Sequence, residues 1–253
     1  FEPVRIDQCL HNLMTDAAGN THRAELCFDK FHNPAAPNGC LGIVELRAFE
    51  TLPDTHHSAT VALFIRTVLA RLFQKPFHRR LRRFGNQLHD RYFLPSWLWM
   101  DLCTICEDLQ QAGLPFYPEW LRPVFDFRFP LRGTLETGNG RIEVRQVRKV
   151  DNSTDRLEIR LSDPKLTESG FLLVNGLEIP FAELEGDRVC GIRYKCASAH
   201  PALHPNVPIQ SPLLLEWVDK QSGEVTAAAR YHHWNPQHPT YDGFPKDAKE
   251  AAA

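Results

Sequence analysis

The stretch "GCLGIVELRAFE", residues 39–50, decides how the first part of this chain folds. Ile43, Val44, Leu46 and Phe49 mark a sheet strand packed into a core, yet Glu45 and Arg47 stand two residues apart inside it. In a strand that spacing puts both charges on one face, with Ile43 and Phe49, and leaves Val44, Leu46 and Ala48 on the other. Such a face has two readings. On a concave sheet, the carboxylate holds a hard cation through oxygen while the guanidinium forks donors onto phosphoryl or carboxyl oxygens. On a solvated face the same residues make salt bridges worth under about 1 kcal/mol a pair.

Upstream, "HRAELCFD" (residues 22–29) also alternates, with Ala24, Leu26 and Phe28 on one side and Arg23, Glu25, Cys27 and Asp29 on the other. The Pro- and Asn-rich loop that follows predicts an antiparallel pair with the strand at 43–49. With the faces aligned, Arg23, Glu25, Asp29, Glu45 and Arg47 share one surface. Downstream, "SATVALFIRTVLARLFQ" (58–74) reads as a helix capped by Ser58 and ended by Pro76. Its apolar residues nearly encircle it, which predicts deep burial. A second helix is expected over 96–111, stopped by Gly113 and Pro115.

From about residue 124 the texture becomes short alternating runs: "VFDFRFP", "RIEVRQVRKV", "RLEIRLS", "FLLVNGLEIPF", "RVCGIRYKC", "LLLEWVD" and "VTAAARYHHW". Gly138-Asn139-Gly140, Asn175-Gly176 and Ser222-Gly223 separate them as turns, and Asn-Gly is a strong hairpin signal. The pattern predicts an antiparallel sandwich or barrel over 124–253 with an irregular tail, and α+β as the class of the whole chain.

A net charge of -2 and a pI near 6.7 give no field that would favour nucleic acid or an anionic membrane. No apolar run is long enough to span a bilayer, and the N-terminus lacks a signal-peptide layout. Seven cysteines, an odd number without framework spacing, suit a reduced, cytoplasmic setting. The absence of an initiator Met and the "KDAKEAAA" end lead us to expect a piece of a longer protein.

Four other constellations have weaker functional readings. "KPFHRRLRRFG", with Lys75, Arg79, Arg80, Arg82 and Arg83, reads as a solvated helix end more readily than a polyphosphate or RNA site. In "LHDRYF", Asp90 and Arg91 are expected to pin neighbouring elements rather than move protons. Cys103 and Cys106 form a Cys-x-x-Cys inside an apolar helix, and without a second pair they read as small core residues. His232, His233, His238 and Asp242 lie among Pro and Asn and read as loop residues before they read as a metal site.

The residues also carry a resemblance. "GNTHRAELCFDK", then "GIVELRAFE", then a long apolar helix resembles the end of the catalytic domain of glutamine-synthetase-fold ligases. More closely, the chain resembles the bacterial amidoligase family found in large proteins that also carry a transglutaminase-like domain. That match continues through "FGNQLHDRYFLP", "AGLPFYPEWLRPVFDFRFPLRG", "ALHPNVPIQSPLL" and "YDGFP". The resemblance implies that residues 1–123 close a glutamine-synthetase-like antiparallel catalytic sheet with its helices, before the β domain of 124–253. It further implies ATP and Mg²⁺ as cofactors, with Glu45 as a magnesium ligand and Arg47 on the amino-acid substrate or transferred phosphate. Arg23 would meet the nucleotide phosphates. Here the strand reads Thr-His-Arg-Ala-Glu where the family has Asn-Arg-Ser-Ala, so His22 or Glu25 are alternatives for that role. The implied partners are an amino-acid or peptide substrate and the upstream catalytic and transglutaminase-like domains, with no nucleic acid and no membrane. Two functions of different class follow: an ATP-dependent carboxylate–amine ligase, of which this piece alone is inactive, or a non-catalytic β-sandwich binding or scaffolding module.

Overall fold

The computed structural model describes residues 5, 9, 26–27, 41–78, 80, 82–147, 154–196 and 206–233. The chain divides into two compact units, residues 1–55 and 56–253. It is a mixed α+β protein with antiparallel sheets.

In the first unit, β1 (Leu26–Cys27) pairs antiparallel with β2 (Glu45–Leu46), placing Leu26 opposite Leu46 and Cys27 opposite Glu45. The partner and the sense are those that alternation predicts. The apolar run behaves differently: Ile43, Val44 and Phe49 are exposed, and only the residues around Glu45 form strand. The expected core strand is therefore a short ladder whose apolar neighbours are not packed.

The second unit opens with α1 (Thr55–Gln74), which begins three residues before the expected Ser58 cap. Its deep burial is not observed, since no residue of α1 is fully buried and Phe73 is 92% exposed. Val61, Phe64 and Val68 form its packed stripe, against Cys106, Leu109, Phe116 and Leu121. An apolar circumference predicts burial on all sides, but a single neighbouring surface covers only one stripe. Next come a π-helical turn (Leu88–Tyr92), α2 (Pro95–Gln111), a 3₁₀ turn (Pro118–Leu121) and α3 (Arg122–Arg128). Pro95 stands at the first turn of α2, where a missing N–H costs nothing, and Gly113 at φ +77° follows its end.

The remaining strands build a two-layer sandwich. One sheet has the order β3 (Leu131–Thr137), β4 (Gly140–Gln146), β5 (Asp155–Leu161), β9 (Asp187–Tyr194), β8 (Ala182–Leu184). The other runs β11 (Val225–Tyr231), β10 (Leu213–Asp219), β6 (Gly170–Val174), β7 (Leu177–Glu178), with the one-turn α4 (Leu166–Ser169) leading into β6. All pairs are antiparallel, and among the described residues neither sheet closes into a barrel. Alternation sends Ile142, Val144, Leu157, Ile159 and Leu161 inward to meet Leu172, Val174, Leu213, Leu215 and Trp217. The Asn175-Gly176 hairpin forms with φ +48° and +77°, the twist that joins two strands tightly. Glu185-Gly186 does the same between β8 and β9, without the usual Asn or Asp.

The other face of the five-stranded sheet carries charge, yet it too is covered. β5 presents Arg156, Glu158 and Arg160 there, and α2 lies on this side with Leu94, Trp97 and Met100 against Val147, Leu184 and Val189. Glu158, 0% exposed, accepts from the Ser96 backbone N–H and the Ser96 Oγ hydroxyl, each at 2.8 Å. It thus caps the positive start of α2 from another element. The adjoining π turn is tied by Arg156 to Asp90 at 2.9 Å. It approaches β9 so closely that a Cβ on Gly191 would lie 2.7 Å from the Asp90 carbonyl oxygen.

Two expected outcomes follow. Gly191→Ala lowers stability by about 1–3 kcal/mol through overpacking, whereas Gly133→Ala, where an added Cβ meets nothing within 4 Å, stays within about 0.5 kcal/mol. Urea midpoints compare them, and equal values would contradict the close docking of the turn. For Glu158, burial raises the pKa above the ordinary 4.5 despite the Ser96 bonds and the nearby Arg145 and Arg160. The folded chain then holds this proton more tightly than the unfolded chain, so ionisation costs stability as pH rises above 4.5. Glu158→Gln should therefore gain on the parent chain as pH climbs from about 4 to 7; melting curves that stay parallel would exclude this.

Candidate functional site

β2 and the residue after it hold the charged pair. Arg47 Nη2 donates to Glu45 Oε2 at 3.0 Å, with the arginine side chain 18% and the glutamate side chain 36% exposed. The two share a face and are half-buried, between the solvated surface and the dry site that the two readings require. Cys27, buried, stands across the ladder from Glu45. The pair sets an acid and a cation side by side. Arg23 and Glu25 lie outside the described residues. Among the described residues of this unit the other carboxylates are Glu50 and Asp54, both exposed.

The weaker candidates resolve along structural lines. Cys106 is fully buried in the helical core, and burial pushes its thiol up to about 11. Burial, followed by Glu119 and other nearby acids, raises Cys103 as well. Both stay protonated at neutral pH, as inert core thiols do. Asp90 holds Arg156 on the sheet, and Arg91 stacks 4.9 Å from the Trp97 ring centroid in α2, so this segment ties the turn to both. Lys75, Arg80, Arg82 and Arg83 are exposed; Arg79 lies outside the described residues.

One grouping was not visible in the sequence. Asp155, Cys196 and His233 bring a carboxylate oxygen, a thiol sulfur and an imidazole nitrogen within 4.8 Å of one another. Cys196 Sγ donates to Asp155 Oδ2 at 2.7 Å, and the Tyr194 hydroxyl lies 2.9 Å from His233 Nδ1. Burial, reinforced by Tyr231 and Asp155, pushes Tyr194 far above the usual phenol range, so it stays protonated. Sequence proximity instead grouped His233 with His232, His238 and Asp242, of which the last two lie outside the described residues. His232 is shifted downward by burial and by Arg230.

Comparison with known proteins adds the family. The sequence matches the family described as "Putative amidoligase enzyme (DUF2126)" over residues 1–253, its whole length. No curated protein and no solved structure matches it. A match of that extent takes in the Glu45–Arg47 strand, the helices and the sandwich together. On that ground the chain belongs to the amidoligase family DUF2126.

Proposed function

We propose that this chain is part of an ATP- and magnesium-dependent ligase that joins a carboxylate to an amine on an amino-acid or peptide substrate. The parent protein would carry upstream catalytic and transglutaminase-like domains and work in the cytoplasm. The observation that carries the reading is the half-buried Glu45–Arg47 pair on β2, within a chain of the amidoligase family.

The donor chemistry of β2 fits magnesium in part. Glu45 offers a hard carboxylate oxygen, and Mg²⁺ is commonly held by one or two carboxylates with water and substrate phosphates completing its shell. When bound, the ion neutralises charge on the nucleotide phosphates and the moving phosphoryl group. Arg47 has the complementary task. Its guanidinium, which donates to Glu45 at 3.0 Å, would bind the phosphoryl or carboxyl oxygens of a substrate. In the proposed reaction a substrate carboxylate oxygen attacks the γ-phosphorus of ATP, and ADP leaves from the acyl phosphate so formed. The amine nitrogen then attacks the acyl carbon, loses a proton and expels inorganic phosphate, leaving an amide. Arg23, with His22 or Glu25 as the alternatives, would take the role at the nucleotide phosphates. The sandwich would hold a peptide or protein substrate or a partner chain.

The test is ADP release by the full-length parent protein with Mg²⁺ and a panel of amino acids and peptides. Amine-dependent release should fall about 100-fold or more in Glu45→Gln and in Arg47→Ala, and cease when a chelator removes the metal. Release untouched by both variants keeps the enzyme and rejects this site. A folded parent protein silent across the whole panel leaves the binding-module reading in its place.

A further inference from the structure

We propose that Asp155, Cys196 and His233 form a binding site for a divalent transition-metal ion of the zinc class at one end of the β-sandwich. The three residues come from separate strand ends. Asp155 begins β5, Cys196 lies two residues beyond the end of β9, and His233 two beyond the end of β11. β5 and β9 are neighbours in one sheet, while β11 edges the other, so an ion here would staple the two layers together.

The donor set selects the metal. A thiolate and an imidazole suit zinc and its neighbours, not magnesium or calcium, which take oxygen shells. Asp155 and an ionised Cys196 bring two negative charges and His233 none, which neutralises a dication. That balance suits a site whose carboxylate residue is only 8% exposed. On binding, the Cys196 thiol proton leaves to solvent, and the S–H···O contact with Asp155 gives way to two metal–ligand bonds.

The spacing is within reach of coordination. With Zn–S near 2.3 Å and Zn–O near 2.1 Å, ligand atoms of a tetrahedral ion stand roughly 3.6 Å apart. The three atoms already lie within 4.8 Å of one another, with sulfur and oxygen at 2.7 Å, so shifts of about an ångström are needed. Tyr194, beside the cluster on β9, holds the His233 ring through Nδ1, the kind of outer contact that orients ligating imidazoles. Among the described residues three protein ligands are at hand, which leaves the fourth tetrahedral position to a further donor such as water or an external group. The site belongs wholly to the second unit and is independent of the ligase reading of β2.

The experiment titrates the full chain, stripped with a chelator, with Co²⁺ as the spectroscopic probe and with Zn²⁺ in thermal melts. The expected result is one ion per chain, a thiolate-to-cobalt charge-transfer band in the near ultraviolet, and a zinc-dependent rise in Tm. Cys196→Ser should lose the band, and His233→Ala should weaken the metal at least about 100-fold, beyond what loss of an outer contact costs. Cys103→Ser, in α2, should bind as the parent chain does. Absence of the band and of the Tm shift in the parent chain overturns the proposal. So does a band that survives Cys196→Ser, or unchanged affinity in His233→Ala, which is the decisive variant where Cys196→Ser does not fold.

Discussion

A carboxylate with no exposed surface organises the outer layer of the second unit. Glu158 sits in the middle of β5 and receives both donors of Ser96 at the start of α2. Burying an acid is costly, and hydrogen bonds recover that cost only where their geometry is fixed. The helix start therefore has one productive position over the sheet. Arg156, one step along the same strand face, fixes the adjoining turn through Asp90, and Gly191 lets that turn come down onto β9. The apolar contacts of Leu94, Trp97 and Met100 with the sheet close around these polar anchors. Two polar ties thus select the register in which the apolar surfaces meet.

The chain writes the same text twice with different results. "GIVELRAFE" and "RLEIRLS" both alternate charge with aliphatic residues, and each carries Glu and Arg two apart. In β5 the aliphatic side enters the core between two sheets, while the charged side is covered by helix, with Glu158 bonded to Ser96 and Arg156 to Asp90. Around β2 the aliphatic residues stay exposed, and Glu45 and Arg47 contact each other while half open to solvent. Alternation announces a two-faced strand. What covers each face depends on residues far away in sequence, and coverage separates the buried carboxylate of Glu158 from the half-open one of Glu45.

Local signals were legible where the physics is local. The Asn175-Gly176 hairpin, the stop of α2 before Gly113, and the sense of the β1–β2 pair follow from residues within a few positions. The depth of α1 was not legible, because its apolar circumference says nothing about how many sides have neighbours. Of the candidate site, the shared face of Glu45 and Arg47 came from spacing alone, and their direct contact did not. The Asp155–Cys196–His233 cluster was not legible as a group, since the three residues stand at the start of β5 and just past the ends of β9 and β11.

By itself the sequence determined the periodicities: two charged-faced strands, a pair of helices, and a series of short antiparallel strands joined by glycine turns. It also determined the chemistry on offer, because donors and acceptors are properties of side chains. Tertiary structure alone decided which of these groups became buried and which met. Coulomb and hydrogen-bond energies depend on separation and on exclusion of water, and neither quantity exists until distant strands are brought together. Glu158 became a structural acid and Asp155 the neighbour of a cysteine and a histidine for that reason: the ladder pairs β5 with β9, and the sandwich sets β11 beside them.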